Sequence, residues 1–170
     1  MYTMESIITE HPFFQGLAPE HLILIAGCAR NVRFNAGEAI FREGDVADQF
    51  YLIRHGMAAL EILMPGRGPV TLQTIHENDV LGWSWLVEPY RWHYHARALE
   101  LTRAISFDGI CLRGKCEEDH DLGYELMKRF ATIITERLQA TRIHMLDVYA
   151  ANGDLHASLR EEIKQVEGGL

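Results

Sequence analysis

The chain lacks the apolar segments that membrane and secreted proteins carry. No apolar run in its 170 residues approaches the roughly 20 residues that cross a bilayer. The first residues, MYTMESIITEHPFFQGL, have no basic region followed by a continuous apolar stretch, so they do not resemble a secretion signal. We therefore expect a cytoplasmic protein with no membrane partner.

Cysteine and positive charge are also scarce. The three cysteines, Cys28, Cys111 and Cys116, fit no common zinc or iron–sulfur spacing, which predicts reduced and mostly buried thiols. Lysine and arginine number 16 against 24 acidic residues, and the resulting net charge of −8 disfavours DNA binding. No nucleophile elbow, Walker loop or catalytic Cys–His spacing occurs, so the sequence predicts a protein that is not an enzyme.

The sequence does contain clear changes of periodicity. Residues 1–30 have helical spacing. Residues 31–108 hold about eight short strand-like runs separated by glycine-rich turns such as PGRG at 65–68. This pattern predicts a mainly β fold with flanking helices, built around an antiparallel β-roll of jelly-roll type.

Helical spacing returns over residues 109–149. We expect CLRGKCEEDHD, residues 111–121, to be a solvated connection, followed by one proline-free helix over 121–149. Such a helix is about 43 Å long, more than a small roll can cover, which predicts a homodimer through this helix. The alternative is that its apolar stripe packs on its own roll. Residues 150–170 are expected to form a short tail with one helix near 155–166. The stripe consists of Met127, Phe130, Ile134, Leu138, Thr141, Met145 and Val148.

Four stretches share a pattern with one known family. FNAGEAIFREGDVADQFYLIRHGMAALEI has turn glycines at Gly37, Gly44 and Gly56, and HENDVLG, TRAISFD and ERLQATRIHMLDV follow it. Together they resemble the cyclic-nucleotide-binding domain of the Crp/Fnr regulators, over about residues 10–150. The resemblance implies a sensor or regulatory protein that responds to cyclic AMP, cyclic GMP or a changed ligand and signals through a partner protein. Regulators of this family carry a helix-turn-helix domain after the long helix. Because the tail here is too short for one, we do not expect direct DNA binding.

The segment that matches the family's phosphate-binding cassette, residues 81–98, departs from the family pattern. The resemblance implies Gly-Glu at a short helix start and an Arg followed by a small residue further on. Here Gly82 keeps the glycine, Trp83 stands at the Glu position and Tyr90 at the Arg position. On the long helix, the resemblance places two further candidates near the ligand's base. The candidate ligand-binding residues are Gly82, Trp83, Ser84, Trp85, Arg91, Trp92, Thr141 and Arg142.

Two interpretations of the cassette's aromatic residues remain open. The rings could line a pocket and stack on a flat ligand. They could instead fill the pocket and leave a ligand-free interaction module.

A third interpretation uses two histidines. His93-x-His95-x4-Glu100 resembles the first metal motif of cupins, which would make the protein a metalloenzyme, and either histidine could ligate the iron of a haem sensor. The alternation of apolar and polar residues along this strand argues against both the metalloenzyme and the haem sensor. Tyr94, Ala96 and Ala98 form its apolar face, so the histidines should point outward, and no metal cofactor is expected.

Overall fold

The computed structural model describes residues 3–151 of the chain. These residues belong to two compact units, of which the first extends to Ala131 and the second begins at Thr132. The first unit contains the whole β-roll and the cassette, so the candidate site is described within it.

Eight antiparallel strands form two four-stranded sheets, which confirms the predicted β-roll. The first sheet has the order β1-β8-β3-β6, and the second has the order β2-β7-β4-β5. The strands are β1 Ala29–Phe34, β2 Ala39–Phe41, β3 Gln49–His55, β4 Ala58–Met64, β5 Gly68–Ile75, β6 Val80–Leu81, β7 His95–Ala98 and β8 Thr102–Asp108.

The inner faces of the two sheets share one apolar cluster. Tyr51 and Ile53 enter it from β3, and Ala96 enters it from β7. The register of the second sheet pairs Leu60 with Ala96, so a large side chain lies opposite a small one. This alternation of large and small residues leaves room inside the roll for one bulky side chain from the cassette.

Helices flank the roll at both ends of the chain. Near the N-terminus lie α1 Met4–Glu10, a 3-10 turn Pro12–Phe14 and α2 Pro19–Ala26; α3 Gly109–Glu118 and α4 His120–Ala151 follow the roll. They cover the part of the outer face of the first sheet where Phe50 and Phe107 stack with centroids 4.4 Å apart. Phe130 of α4 meets Phe50 edge to face at 5.1 Å, so α4 is anchored to the sheet by aromatic packing.

The predicted solvated connection over residues 111–121 is wrong, because most of this stretch belongs to α3. The Asp108 carboxylate accepts a hydrogen bond from the Cys111 backbone N–H at 2.9 Å and caps the helix. Leu112 is fully buried, which fixes one face of α3 against the roll. A single buried leucine among charged residues makes a weak periodic signal, which explains the error.

The prediction of three reduced thiols is also wrong. Cys28 and Cys111 form a disulfide with an Sγ–Sγ distance of 1.99 Å, whereas Cys116 is free. The two bonded residues are 83 positions apart in sequence. Pairing of Ala29 with Phe107 in the first sheet brings the start of β1 beside the start of α3. Local cysteine spacing carries no trace of such a pairing.

The long helix is confirmed, as α4 spans His120–Ala151. In the first unit its buried face consists of Leu122, Leu126 and Phe130, while Met127 is 50% exposed. In the second unit Leu138 is 69% exposed. Within the first unit, the predicted stripe packs on the roll at Phe130. The expected helix near 155–166 lies outside the described residues.

No helix in the described part of the chain combines the length and the apolar character needed to cross a membrane.

Candidate functional site

The cassette leaves the roll at the end of β6 and returns to it at β7. Gly82 follows β6 with φ at +93°, and a 3-10 turn, Ser84–Leu86, comes directly after Trp83. Residues 90–92 then run against residues 44–47. The Ala47 N–H donates to the Tyr90 carbonyl at 2.7 Å, and the Trp92 N–H donates to the Asp45 carbonyl at 3.0 Å. This short antiparallel pairing fixes the direction of the Trp92 side chain.

Trp92 lies inside the roll. Its side chain belongs to the apolar cluster between the sheets, and the residue is only 5% exposed. The indole stacks on Phe41 with centroids 3.7 Å apart and ring planes 8° from parallel. On its other side the ring meets Gly82, where an added Cβ would lie 2.8 Å from Cζ3 and 2.9 Å from Cη2. The glycine of the cassette therefore provides the space that Trp92 occupies.

Trp85 lies on the opposite side of the first sheet, in the aromatic layer under the helices. It is fully buried, stacks on Phe50 at 5.2 Å and meets Phe130 edge to face at 5.5 Å. Its backbone carbonyl accepts a hydrogen bond from Nη1 of Arg113 at 2.5 Å. Trp85 thus attaches the cassette to α3 and α4 and packs as a core residue.

Trp83 and Ser84 both contact one histidine. Trp83 is half-buried and stacks on the His93 ring at 5.2 Å. Ser84 is buried, and its Oγ shares a hydrogen bond with Nδ1 of His93 at 3.0 Å. The hydroxyl of Ser84, a candidate ligand-binding residue, is therefore hydrogen-bonded to His93.

Arg91 is exposed on the outside of the cassette. Its Nη1 donates to the Gly44 carbonyl at 2.8 Å, which leaves the rest of the guanidinium facing solvent. Tyr90, at the family's arginine position, has φ at +54° and lies under the guanidinium of Arg113 at 4.1 Å. A phosphate inside the roll would have to compete with the Gly44 carbonyl for Arg91.

The comparison with known proteins decides the family. Residues 31–119, more than half of the chain, match the cyclic nucleotide-binding domain family. The chain belongs to this family. A CRP-like cAMP-activated global transcriptional regulator of Mycobacterium tuberculosis is 23% identical over 145 residues, which cover 85% of this chain and 63% of the regulator. A cAMP-dependent protein kinase regulatory subunit of Schizosaccharomyces pombe is 35% identical over 78 residues, or 46% of this chain and 18% of the subunit.

A solved structure supports the same assignment. A Geobacter metallireducens protein described as cyclic nucleotide-binding has a TM-score of 0.72 and 29% identity, covering 81% of this chain and 99% of its own. The present chain spans just under two thirds of the M. tuberculosis regulator. The M. tuberculosis and S. pombe relatives are regulatory proteins, and their own ligands and partners are properties of those proteins.

Two of the candidate ligand-binding residues lie on α4, away from the cassette in sequence. Thr141 and Arg142 lie in the second unit, where both are exposed. The Thr141 hydroxyl donates to the Arg137 carbonyl of its own helix at 2.9 Å. Their role as ligand contacts stays a prediction.

The histidines of the metal interpretation have other partners. His95 Nδ1 accepts a hydrogen bond from the Glu43 N–H at 3.4 Å, and its Nε2 lies 3.7 Å from Glu43 Oε2. Among the residues that the structure describes, no group of three or more His, Cys, Asp or Glu side chains is placed to hold a metal ion. Ala96 and Ala98 point into the roll, as the alternation predicts.

Two polar features of the roll were missed from sequence. Glu61 lies within an apolar run of β4 and is 4% exposed, yet its carboxylate binds Nη2 of Arg97 on the neighbouring strand at 2.5 Å. This hydrogen bond raises the pKa of Arg97. Inside the roll, burial together with the nearby Asp48 carboxylate raises the pKa of Tyr51 to about 12. A charged residue within an apolar strand was the available signal for the first feature.

Proposed function

We propose that the protein is a non-enzymatic regulatory domain that senses a small ligand through the cassette, residues 81–98. Cyclic AMP and cyclic GMP are the first ligands to test, because the chain belongs to the cyclic nucleotide-binding domain family. The observation that carries the proposal is the position of Trp92 inside the roll, stacked on Phe41 and packed on Gly82. In this proposal Trp92 acts as a gate whose displacement reports the ligand.

The packing of Trp92 sets the expected affinity. Burying a large aromatic side chain contributes roughly 1.5–3 kcal/mol, and an aromatic stack adds about 0.5–1.5 kcal/mol. A ligand that enters the roll must offset about 2–4.5 kcal/mol in displacing the ring, which weakens its binding roughly 30- to 2,000-fold. The native protein should therefore bind such a ligand weakly, and removal of the indole should strengthen binding.

Contacts within the first unit provide a route from the cassette to α4. Trp85 packs on Phe130 of α4, and Arg113 of α3 binds the Trp85 carbonyl. A shift of the cassette on ligand entry would change both contacts. Ligand binding would then alter the position of α4, which presents the signal to a partner protein.

A calorimetric titration with cyclic AMP and cyclic GMP tests the gate. We expect Trp92→Ala to bind at least one of the two nucleotides about tenfold or more tightly than the native protein. Trp83→Ala is the matched control, since it also removes a cassette indole but leaves the interior of the roll unchanged. If the native protein bound the nucleotide as tightly as Trp92→Ala, Trp92 would not act as a gate.

The second candidate function is a ligand-free interaction module. The close fit of Trp92 to Gly82 favours it, because the same contacts could serve as permanent core packing. Absence of binding to native protein and to Trp92→Ala at millimolar nucleotide would support this module and reject sensing of these two nucleotides.

We also propose that α4 pairs with the same helix of a second copy. Leu138, Ile143 and Met145 of the second unit are exposed, which is costly for apolar side chains on a soluble helix. Sedimentation should give about twice the 19.4 kDa of one chain, and Leu138→Lys should give a monomer. Gln139→Lys, one position away on α4, should remain dimeric. A native monomer at high concentration contradicts this pairing.

A further inference from the structure

A row of basic side chains crosses the outer surface of the first sheet. Arg33 of β1 lies directly opposite Arg103 of β8, and Arg103 lies opposite His55 of β3. A bulge between Ile53 and His55 brings the exposed Arg54 into the same region. Directly paired residues share a face of the sheet, with Cβ atoms about 5 Å apart.

These side chains line a groove of about 500 Å³. We call it the basic groove and define it by Arg33, Arg54, His55 and Arg103, with Asn31 at its edge. Its volume is typical of a site for a small molecule. The groove lies on the outer face of the first sheet, so it is separate from the interior of the roll, where Trp92 packs.

The positive charge of the groove is not neutralised within the described part of the chain. No ion pair joins Arg33, Arg54 or Arg103 to a carboxylate there, and the Arg33 guanidinium donates to the neutral Asn35 side chain at 3.2 Å. The chain as a whole has a net charge of −8, so a cluster of arginines is not expected from its composition. Like charges placed directly opposite on neighbouring strands destabilise a sheet, and an anion would relieve that repulsion.

The neighbouring surface shows which end of the groove favours an anion. Arg54 also borders a second depression, which contains Glu10 and Glu77. Those carboxylates would repel an anion at the Arg54 end. The favoured position is therefore between Arg33 and Arg103.

We infer that the basic groove binds a small ligand carrying a polyphosphate group. Guanidinium groups present planar forks that match phosphate oxygens, and several adjacent forks suit a group with several negative charges. A cyclic monophosphate has one such charge, so the groove differs in ligand class from the interior of the roll. Inorganic polyphosphate and the triphosphate of a nucleotide share this chemistry.

Calorimetry at constant ionic strength tests the groove with inorganic tripolyphosphate, ATP and an acidic polyglutamate peptide. We expect tripolyphosphate to bind the native protein, and the double variant Arg33→Gln/Arg103→Gln to weaken it at least about tenfold. Arg67→Gln, in the turn between β4 and β5, is the matched control and should bind as the native protein does. Equal affinity of ATP and tripolyphosphate would assign recognition to the phosphates alone, whereas tighter binding of ATP would indicate a nucleotide.

Folding of the variants is checked separately. Removing two opposed arginines should leave the melting temperature unchanged or higher, and the single variants Arg33→Gln and Arg103→Gln each provide a second measurement. Three results would overturn the inference: no binding of either phosphate compound to the native protein, unchanged binding in the double variant, or tighter binding of the peptide than of tripolyphosphate.

Discussion

At the residue scale, two separate constraints favour glycine at position 82: the backbone conformation and the space available for a side chain. Its φ of +93° is unfavourable for residues with a side chain, and the ring of Trp92 occupies the space of a Cβ. Only the backbone constraint applies at Gly44, because its φ is +85° but nothing lies within 4 Å of an added Cβ. Substitutions at Gly82 and Gly44 therefore separate the cost of backbone strain from the cost of a steric clash.

We predict that Gly82→Ala lowers the free energy of unfolding more than Gly44→Ala does. The change at Gly44 should cost about 1–2 kcal/mol from its backbone conformation. The change at Gly82 should cost a further 1–3 kcal/mol or so from the clash with the indole. Urea unfolding at neutral pH measures both.

The double variant Gly82→Ala/Trp92→Ala provides the cross-check. Because Trp92→Ala removes the clashing ring, adding Gly82→Ala to it should cost no more than Gly44→Ala costs the native protein. A Gly82→Ala penalty that is unchanged by the loss of Trp92 would contradict the packing described for the site.

At the element scale, the start of α4 depends on one carboxylate. Asp119 Oδ1 accepts from the backbone N–H groups of Asp121 and Leu122, both at 3.1 Å, and Oδ2 lies 3.0 Å from Nε2 of His21. The backbone hydrogen bond from Leu122, with the nearby His21, lowers the pKa of Asp119. The charged form therefore joins α4 to α2 and caps α4 at its positive end.

The lowered pKa predicts how stability depends on pH. The contribution of Asp119 is fully present above its unfolded-state pKa and is lost as the pH falls below about 4 toward the folded-state value. Asp119→Asn keeps a capping oxygen but removes the charge. This variant should therefore lose less stability than the native protein between pH 7 and pH 3 in urea unfolding.

Glu118→Gln is the matched control at the adjacent position, since Glu118 is exposed at the end of α3. It should show the same loss of stability with falling pH as the native protein. If Asp119→Asn showed the same pH dependence as the native protein, the charged cap would have no thermodynamic effect.

At the scale of the whole molecule, the Cys28–Cys111 disulfide closes a long loop around the roll. The two residues are 83 positions apart, and a cross-link that closes a loop of this length destabilises the unfolded chain by about 4.5 kcal/mol through lost entropy. We predict that reductant lowers the free energy of unfolding of the native protein by up to about this amount. Guanidinium unfolding with and without reductant measures the difference.

Two variants separate this disulfide from the remaining thiol. Cys116→Ser should respond to reductant as the native protein does, because Cys116 is free. Cys28→Ser/Cys111→Ser should not respond. The same unfolding midpoint for native protein in both conditions would mean that the disulfide does not contribute to stability.

The sequence predicted much of this fold because the signals were local. Short apolar runs marked β3, β4 and β8, and the turn glycines Gly44 and Gly56 marked the limits of β3. The proline-free stretch predicted α4. The prediction failed at α3, where a cap from Asp108 and one buried leucine form a helix that has little periodicity.

The position of the candidate site along the chain was predictable, but the packing of its side chains was not. The HENDVLG stretch and Gly82 located the cassette, in which Trp83 and Tyr90 stand where the family has other residue types. The sequence left open whether the rings line a pocket or fill it. Backbone pairing of residues 90–92 with residues 44–47 decides this for Trp92, and that pairing joins segments more than 40 residues apart.

By itself, then, the sequence determined the family, the order of the elements and the position of the cassette, since all three depend on neighbours along the chain. Only the tertiary structure placed Trp92 on Gly82, joined Cys28 to Cys111 and aligned Arg33 with Arg103. Each of these contacts depends on strand register and on the path of the chain between distant segments. Contacts of that kind follow from the packing of the whole roll, in which a shift of one residue turns every side chain of a strand to the other face.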